Sequence, residues 1–374
     1  MTQKIDLNNL DKSTWEIFNF EDIAQKISET VNPNKTDLET YVGLEHLDAD
    51  DIHIRRFGTP NDVKGGKLRC YPGDVIFGKR RAYQRKAAIV DFDGICSAHA
   101  FVFRANPEII DPKLFPFFLH SDQFMHRMVD ISVGGLSPTI NWGDLKQQEF
   151  LLPPKDQQAK FAELLWAMDD VIESEKEFVD KLRITLSSEI KSLFEKSKNK
   201  IQIKHLILKN RPKKSEVGII PYIEIGDINL ANKTIEFKDK ESVKGSVIAS
   251  KNSVLVSKVR PNRGAITILN EEQVVSNGFS ILLPDCTKVA PNYLFHCLAW
   301  NQYFLSLMSR LATGSTYPTI SDDDVLNYFI PSFILDAQEE LAFKYDKIYN
   351  SIIELESKIS SSKALQKSLI NQVF

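Results

Sequence analysis

Residues 73–86, GDVIFGKRRAYQRK, set Gly73 and Gly78 five positions apart with Lys79 directly behind. That is most of the spacing of a phosphate-binding loop. Such a loop needs a flexible run of backbone N–H groups, and a Ser or Thr after the lysine to hold Mg²⁺. Here Arg80 follows Lys79, and the intervening Asp74, Val75, Ile76 and Phe77 read as a strand, because β-branched and aromatic residues favour pleated backbone. Nucleotide hydrolysis therefore does not account for the stretch. Its charge remains: Lys79, Arg80, Arg81, Arg85 and Lys86 are five of eight consecutive residues, and Lys204, Lys209, Arg211, Lys213 and Lys214 form a second basic cluster.

Other catalytic arrangements are missing from the sequence. The histidines, His46, His53, His99, His120, His126, His205 and His296, form no HExxH motif and no zinc spacing with cysteine. His120 and His126 read as residues of a helix face. There is no GxSxG elbow, and no glycine-rich strand-to-helix loop for a dinucleotide or S-adenosylmethionine. Asp91 and Asp93 follow a strand and read as turn residues. Asp322, Asp323 and Asp324 follow Ser321 and suit a helix start, where acidic groups face the positive end of the helix dipole. We expect no catalytic residues, no metal and no cofactor.

The basic stretch gains meaning from an internal repeat. Residues 73–103 align without gaps on 252–282, placing Val75 on Val254, Lys79 on Lys258, Arg81 on Arg260, Ile89 on Ile268 and Ser97 on Ser276, an offset of 258 − 79 = 179. Upstream, YVGLEHLDADD (41–51) is similar to YIEIGDINLAN (222–232). Downstream, GGLSPTI (134–140) matches GSTYPTI (314–320), and LLPPKDQQAKFAELL (151–165) matches FIPSFILDAQEELAF (329–343), with Asp156 and Gln158 on Asp336 and Gln338. The second copy replaces Gly73 and Gly78 by Asn252 and Ser257 but keeps the basic pair, so the shared design needs the cations and not the glycines. In an extended chain side chains repeat every two residues, which would put Lys79 and Arg81 on one face, and likewise Lys258 and Arg260. A repeated basic pair at a strand end suits contact with phosphates or base edges. Arg80, Arg85, Lys86 and Arg263 are expected as accessory contacts.

Each copy carries short β-rich runs such as AAIVDF (87–92) and AITILN (265–270), with one helical stretch, 114–129 or 292–311, which predicts mixed α/β (α+β) domains. Each is followed by about 40 residues free of glycine and proline, with apolar residues at heptad spacing. Leu165, Met168, Ile172, Val179, Leu182, Leu186 and Leu193 form one seam. Leu341, Tyr345, Ile348, Ile352, Leu355, Ile359, Leu369 and Val373 form the other. Pro153 and Pro154 precede the first helix and Pro331 the second. Glu175, Glu189, Ser362 and Gln366 interrupt the seams, which suits a pairing of defined register. The two helices pack as an antiparallel coiled coil or, alternatively, each against its own domain.

The composition, 43% hydrophobic and 26% charged over 374 residues, is that of ordinary globular domains, and the net charge of −3 is unlike that of a free-standing nucleic-acid binder. Cys70, Cys96, Cys286 and Cys297 are spread without CxxC pairs and read as reduced, mostly buried thiols. No signal peptide and no membrane span is evident, so a cytoplasmic protein is expected.

This order of variable domain, proline-rich entry with a glutamine, and long helix resembles the specificity subunit of Type I restriction-modification systems. The resemblance covers nearly the whole chain and rests on YVGLEHLD with YIEIGDIN, GDVIFGKRR with NSVLVSKVR, and LLPPKDQQAKFAELL with its counterpart around Asp336 and Gln338. The second entry, IPSFILDAQ, departs from the Pro-Pro form. The resemblance implies target recognition domains at 1–153 and 199–331 and spacer helices at 154–198 and 332–374. It also implies a non-catalytic chain that reads a bipartite double-stranded DNA target, docks two methyltransferase subunits and joins motor-nuclease subunits. The assembled complex would act as an adenine DNA methyltransferase and ATP-dependent endonuclease. The alternative is a non-catalytic cytosolic scaffold with duplicated ligand- or protein-binding domains.

Overall fold

A computed structural model describes residues 10–209 and 213–374. The chain divides into two compact units, the first formed by 1–173 with 360–374 and the second by 174–359. Both units are mixed α/β and repeat one topology.

In the first unit a four-stranded sheet runs Ala24–Ile27, Phe101–Ala105, Val75–Phe77, Ala87–Ile89, all antiparallel. A second sheet runs Thr30–Val31, Lys67–Cys70, Gly94–Cys96, Thr40–Val42, its last pair parallel. The second unit has the three-stranded order Ile266–Ile268, Val254–Ser257, Phe279–Leu282, and a four-stranded sheet Lys213–Lys214, Val247–Ala249, Gln273–Val275, Tyr222–Ile223 whose last pair is again parallel. Residues matched by the repeat become partners in register: Val75 faces Ile89, and Val254 faces Ile268. Val75, Ile76 and Phe77 are all buried, so this strand is covered on both faces. Phe20, Phe77, Phe103, Phe118, Phe124 and Phe150 form an aromatic core around it.

The single helical stretch expected in each copy is two helices. Phe115–His120 and Asp122–Asp130 are separated by Ser121, whose backbone is extended and whose hydroxyl accepts from the Phe124 N–H at 3.2 Å. Pro291–Ala299 and Gln302–Leu311 are broken likewise at Asn301, which accepts from the Phe304 N–H at 3.1 Å. A small polar N-cap satisfies a free N–H at a second helix start, and the 3.6-residue pattern alone did not reveal it. Ser321 does cap Asp322–Leu326 as expected, in a capping box with Asp324. Of the cysteines, Cys70, Cys96 and Cys297 are buried and Cys286 is exposed.

The long helices are Lys155–Lys196 and Leu335–Val373. In each unit the helix is held by a buried glutamine. Gln158 accepts from the Asp111 N–H at 2.7 Å and donates to the carbonyls of Ile109 and Pro153. Gln338 accepts from the Ala290 N–H at 3.1 Å and donates to Lys288 and Phe333. The polar residues in the seams make contacts between helix segments. In the second unit Glu189 meets Lys344 at 2.7 Å and Glu175 meets Lys358 at 2.5 Å, so the segments run in opposite directions. In the first, Gln366 donates to the Leu165 carbonyl. The helices also pack on their domains: Trp166 meets Phe117, and Tyr349 meets Phe295. Helix segments thus contact one another and their own domains.

Candidate nucleic-acid interface

The basic pair of each unit lies on a corner where two repeated motifs meet. In the first unit the chain leaves strand Val75–Phe77 and runs beside the PTI motif: Ile140 N–H donates to the Lys79 carbonyl at 2.9 Å, Arg81 N–H to Pro138 at 2.7 Å, and Arg80 bridges Thr139. In the second, Ile320 N–H donates to Lys258 at 3.0 Å, Arg260 N–H to Pro318 at 2.8 Å, and Val259 bridges Thr319. GDVIFGKRR and GGLSPTI, some 50 residues apart in sequence, are the two sides of one structure.

The expectation that Lys79 and Arg81 share one face of an extended strand is corrected here. The chain turns at Arg81 into the left-handed region, φ 57° and ψ 55°, and begins a 3₁₀ turn over Ala82–Gln84. Arg260 does the same, φ 49° and ψ 56°, ahead of Pro261–Arg263. The two-residue alternation of an extended strand thus ends at the corner. The left-handed region costs a non-glycine residue roughly 1–2 kcal/mol, so its recurrence at an arginine in both units marks a conformation that the surrounding hydrogen bonds enforce.

Lys79 is half-buried with its ammonium 5.1 Å above the Phe101 ring; burial, with a contribution from nearby Lys26, holds its pKa below the usual lysine range. Arg80 and Arg81 are exposed, and Arg81 Nε donates to the Ser137 hydroxyl at 3.1 Å. Lys258 pairs with Asp322 at 3.4 Å, Arg260 lies over the Tyr317 ring at 5.0 Å, and Arg263 is exposed. Arg85 and Lys86 are engaged internally. Arg85 meets Asp50 at 2.6 Å, Asp122 at 2.9 Å and the His120 carbonyl, and Lys86 donates to the Leu44 carbonyl. These contacts hold the corner in shape. In the second basic cluster Lys204, Lys209, Lys213 and Lys214 are exposed, and Lys204 donates to Asn327; Arg211 lies outside the described residues.

His120 is buried with Nε2 donating to the Ala87 carbonyl, and burial lowers its pKa, while His126 is exposed. Among the described residues one group, His53, Asp169 and Glu173, brings three possible metal-ligating atoms within 4.8 Å of one another. Its carboxylates already have cationic partners: His53 meets Asp169 at 2.7 Å, and Arg55 binds both oxygens of Glu173 at 2.8 Å. A guanidinium at this position opposes a second cation, so the group is a polar tie between domain and helix. Among the described residues, no helix is long and apolar enough to cross a membrane.

The internal duplication is seen again in the comparison with known proteins. The family model for the Type I restriction modification DNA specificity domain matches twice, at residues 12–183 and 187–362. The chain belongs to this family. A protein of Methanocaldococcus jannaschii that bears the name of a type I restriction enzyme specificity subunit, MjaX, is 21% identical over 390 residues, covering 92% of this chain and 88% of its own length. The type I restriction enzyme EcoDI specificity subunit of Escherichia coli is 26% identical over 168 residues, 44% of this chain and 37% of its own. Among solved structures, the S subunit of the Type I restriction-modification system from M. genitalium superposes with a TM-score of 0.58 at 15% identity, covering 98% of both chains. A chain from work on complex assembly and conformational transition of the type I system gives 0.55 at 20% identity, covering 96% of this chain and 97% of its own. At these identities the structures show a shared fold. The specificity family therefore supplies both the twofold repeat and the mixed α/β class seen here.

Proposed function

We propose that the chain is the sequence-reading subunit of a Type I restriction-modification complex, with one recognition domain per half of a bipartite double-stranded DNA target. The observation that supports this most is the basic corner built twice from the same two motifs, with an arginine in left-handed backbone in each copy, Arg81 exposed and Arg260 half-buried. Two similar readers on one chain suit a target of two short blocks at fixed separation, since half-site spacing follows protein geometry.

Arg80, Arg81, Lys258, Arg260 and Arg263 provide phosphate or base-edge contacts in this reading, with Lys79 beside them. Arg85 and Lys86 act by holding the corner. The long helices, 154–198 and 332–374, are the spacer, paired as an antiparallel coiled coil, and the docking surface for two methyltransferase subunits; the domains span 1–153 and 199–331. Motor-nuclease subunits complete an assembly whose adenine methylation and ATP-dependent cleavage belong to those partners, and this chain contributes no catalytic group. The complex works in the cytoplasm, where its DNA is.

An electrophoretic mobility shift with the methyltransferase partner tests the reading. A shift of duplex DNA that requires this chain and falls when Arg81 and Arg260 are replaced by alanine is expected. Equal shifts with and without the chain would contradict it.

A further inference from the structure

The proposed function leaves one repeated motif without a role. GGLSPTI and GSTYPTI each close a short hairpin, Val133 bridging Thr139 in the first unit and Thr313 bridging Thr319 in the second. The threonine of each hairpin also bridges the basic strand end, so three chain segments share one narrow frame. Glycine opens the turn where only glycine is unstrained, Gly134 at φ 113° and Gly314 at φ 102°; at Gly314 a Cβ would also come within 3.2 Å of the Tyr317 carbonyl. Pro138 and Pro318 stiffen the return.

Between the constant glycine and the constant Pro-Thr-Ile the two copies differ completely, Gly135-Leu136-Ser137 against Ser315-Thr316-Tyr317. A constant frame with a variable tip is what two readers of unlike half-sites require. At each tip one large apolar side chain faces solvent: Leu136 is 97% exposed and Tyr317 is 64% exposed. A single exposed apolar residue decides nothing. Here each tip carries one, at neighbouring positions of the alignment (Leu136 falls on Thr316, Tyr317 on Ser137), with a guanidinium at its base: Arg81 donates to Ser137, and Arg260 lies 5.0 Å over Tyr317.

An apolar tip beside a phosphate-binding cation matches the chemistry of side chains that wedge against base steps while arginine holds the backbone. We propose that each hairpin is a reading tip, in which Leu136 and Tyr317 press against the bases of their half-sites while Arg81 and Arg260 hold the adjoining phosphates. This rests on the DNA-reading function proposed above.

The test uses the full chain assembled with its methyltransferase subunits, and duplexes carrying the methylation-mapped target with 2-aminopurine walked through both half-sites. Wild type should brighten 2-aminopurine at one step in each half-site, where a base is unstacked. Leu136→Ala should lose the signal in one half-site and Tyr317→Ala in the other. Each should bind about tenfold or more weakly, from lost apolar burial or stacking. The dependence of affinity on salt should not change, because no charge is removed. Leu136→Met and Tyr317→Phe should retain both signals. Wild-type binding and fluorescence in both alanine variants, while Arg81→Ala reduces the salt dependence, would overturn the tip and leave DNA reading intact. No binding by the wild-type complex would overturn both. An alanine variant that fails to assemble without DNA would overturn the tip by assigning it to the protein partner.

Discussion

Arg81 and Arg260 are the residues on which the account turns. Both are held in left-handed backbone, with N–H groups donating to the carbonyls of Pro138 and Pro318, so the corner fixes where each side chain begins. If they meet phosphates, Arg81→Ala and Arg260→Ala should each weaken binding to all sequences alike and lower the slope of log affinity against log salt by about 1, as read from binding isotherms at several salt concentrations. A change confined to one base position of the target would instead make the arginine a base reader. His53 offers a second residue-scale prediction. Its hydrogen bond to Asp169 raises its pKa above 6.5, against a smaller opposing effect of burial. A raised histidine pKa stabilises the fold fully below the unfolded value and loses that contribution as pH rises through the folded value. The melting-temperature difference between wild type and His53→Asn should therefore be largest below about pH 6.5 and shrink above it. A difference that grows with pH would contradict the ion pair.

At the scale of elements, Gln158 and Gln338 join each long helix to its domain through three buried hydrogen bonds each. Replacing either by alanine strands an N–H and two carbonyls away from water, at about 1–3 kcal/mol per buried unsatisfied group. We expect each variant to lose about 2–4 kcal/mol of stability in denaturant titration, whereas Asp156→Ala, on the exposed first turn, should change little. The repeat made these glutamines visible in the sequence, since they recur in the same place; their role was not visible, because two of the three partners of each lie in loops about 50 residues upstream. The strand Val75–Phe77, the heptad seams and the capped helix at Ser321 were legible from local pattern. The break at Ser121 and the left-handed turn at Arg81 were not. The first depends on a side-chain cap inside an apolar run, and the second on pairing with the Pro-Thr-Ile segment, a long-range contact that no local periodicity encodes. Among the basic residues, spacing could not separate Arg80 and Arg81, which face solvent, from Arg85 and Lys86, which bind their own domain.

The duplication makes predictions for the whole molecule. The two long helices begin 335 − 155 = 180 residues apart. At that offset Ile370, Val373 and Phe374, buried in the first unit against residues such as Phe118, correspond to Ile190, Leu193 and Phe194. A fragment ending near Lys198 lacks the first set but carries the second, so a second copy can supply it. Burial of that apolar surface at about 25 cal/mol per Å² favours a symmetric dimer, which sedimentation would detect, and a monomer would contradict the equivalence of the halves. The central claim, one reader per half-site, is tested most directly by mapping adenine methylation on random DNA with the full chain and its methyltransferase subunit. Two short defined blocks of bases separated by an undefined gap of constant length are expected. A single uninterrupted block, or two blocks at variable separation, would contradict it.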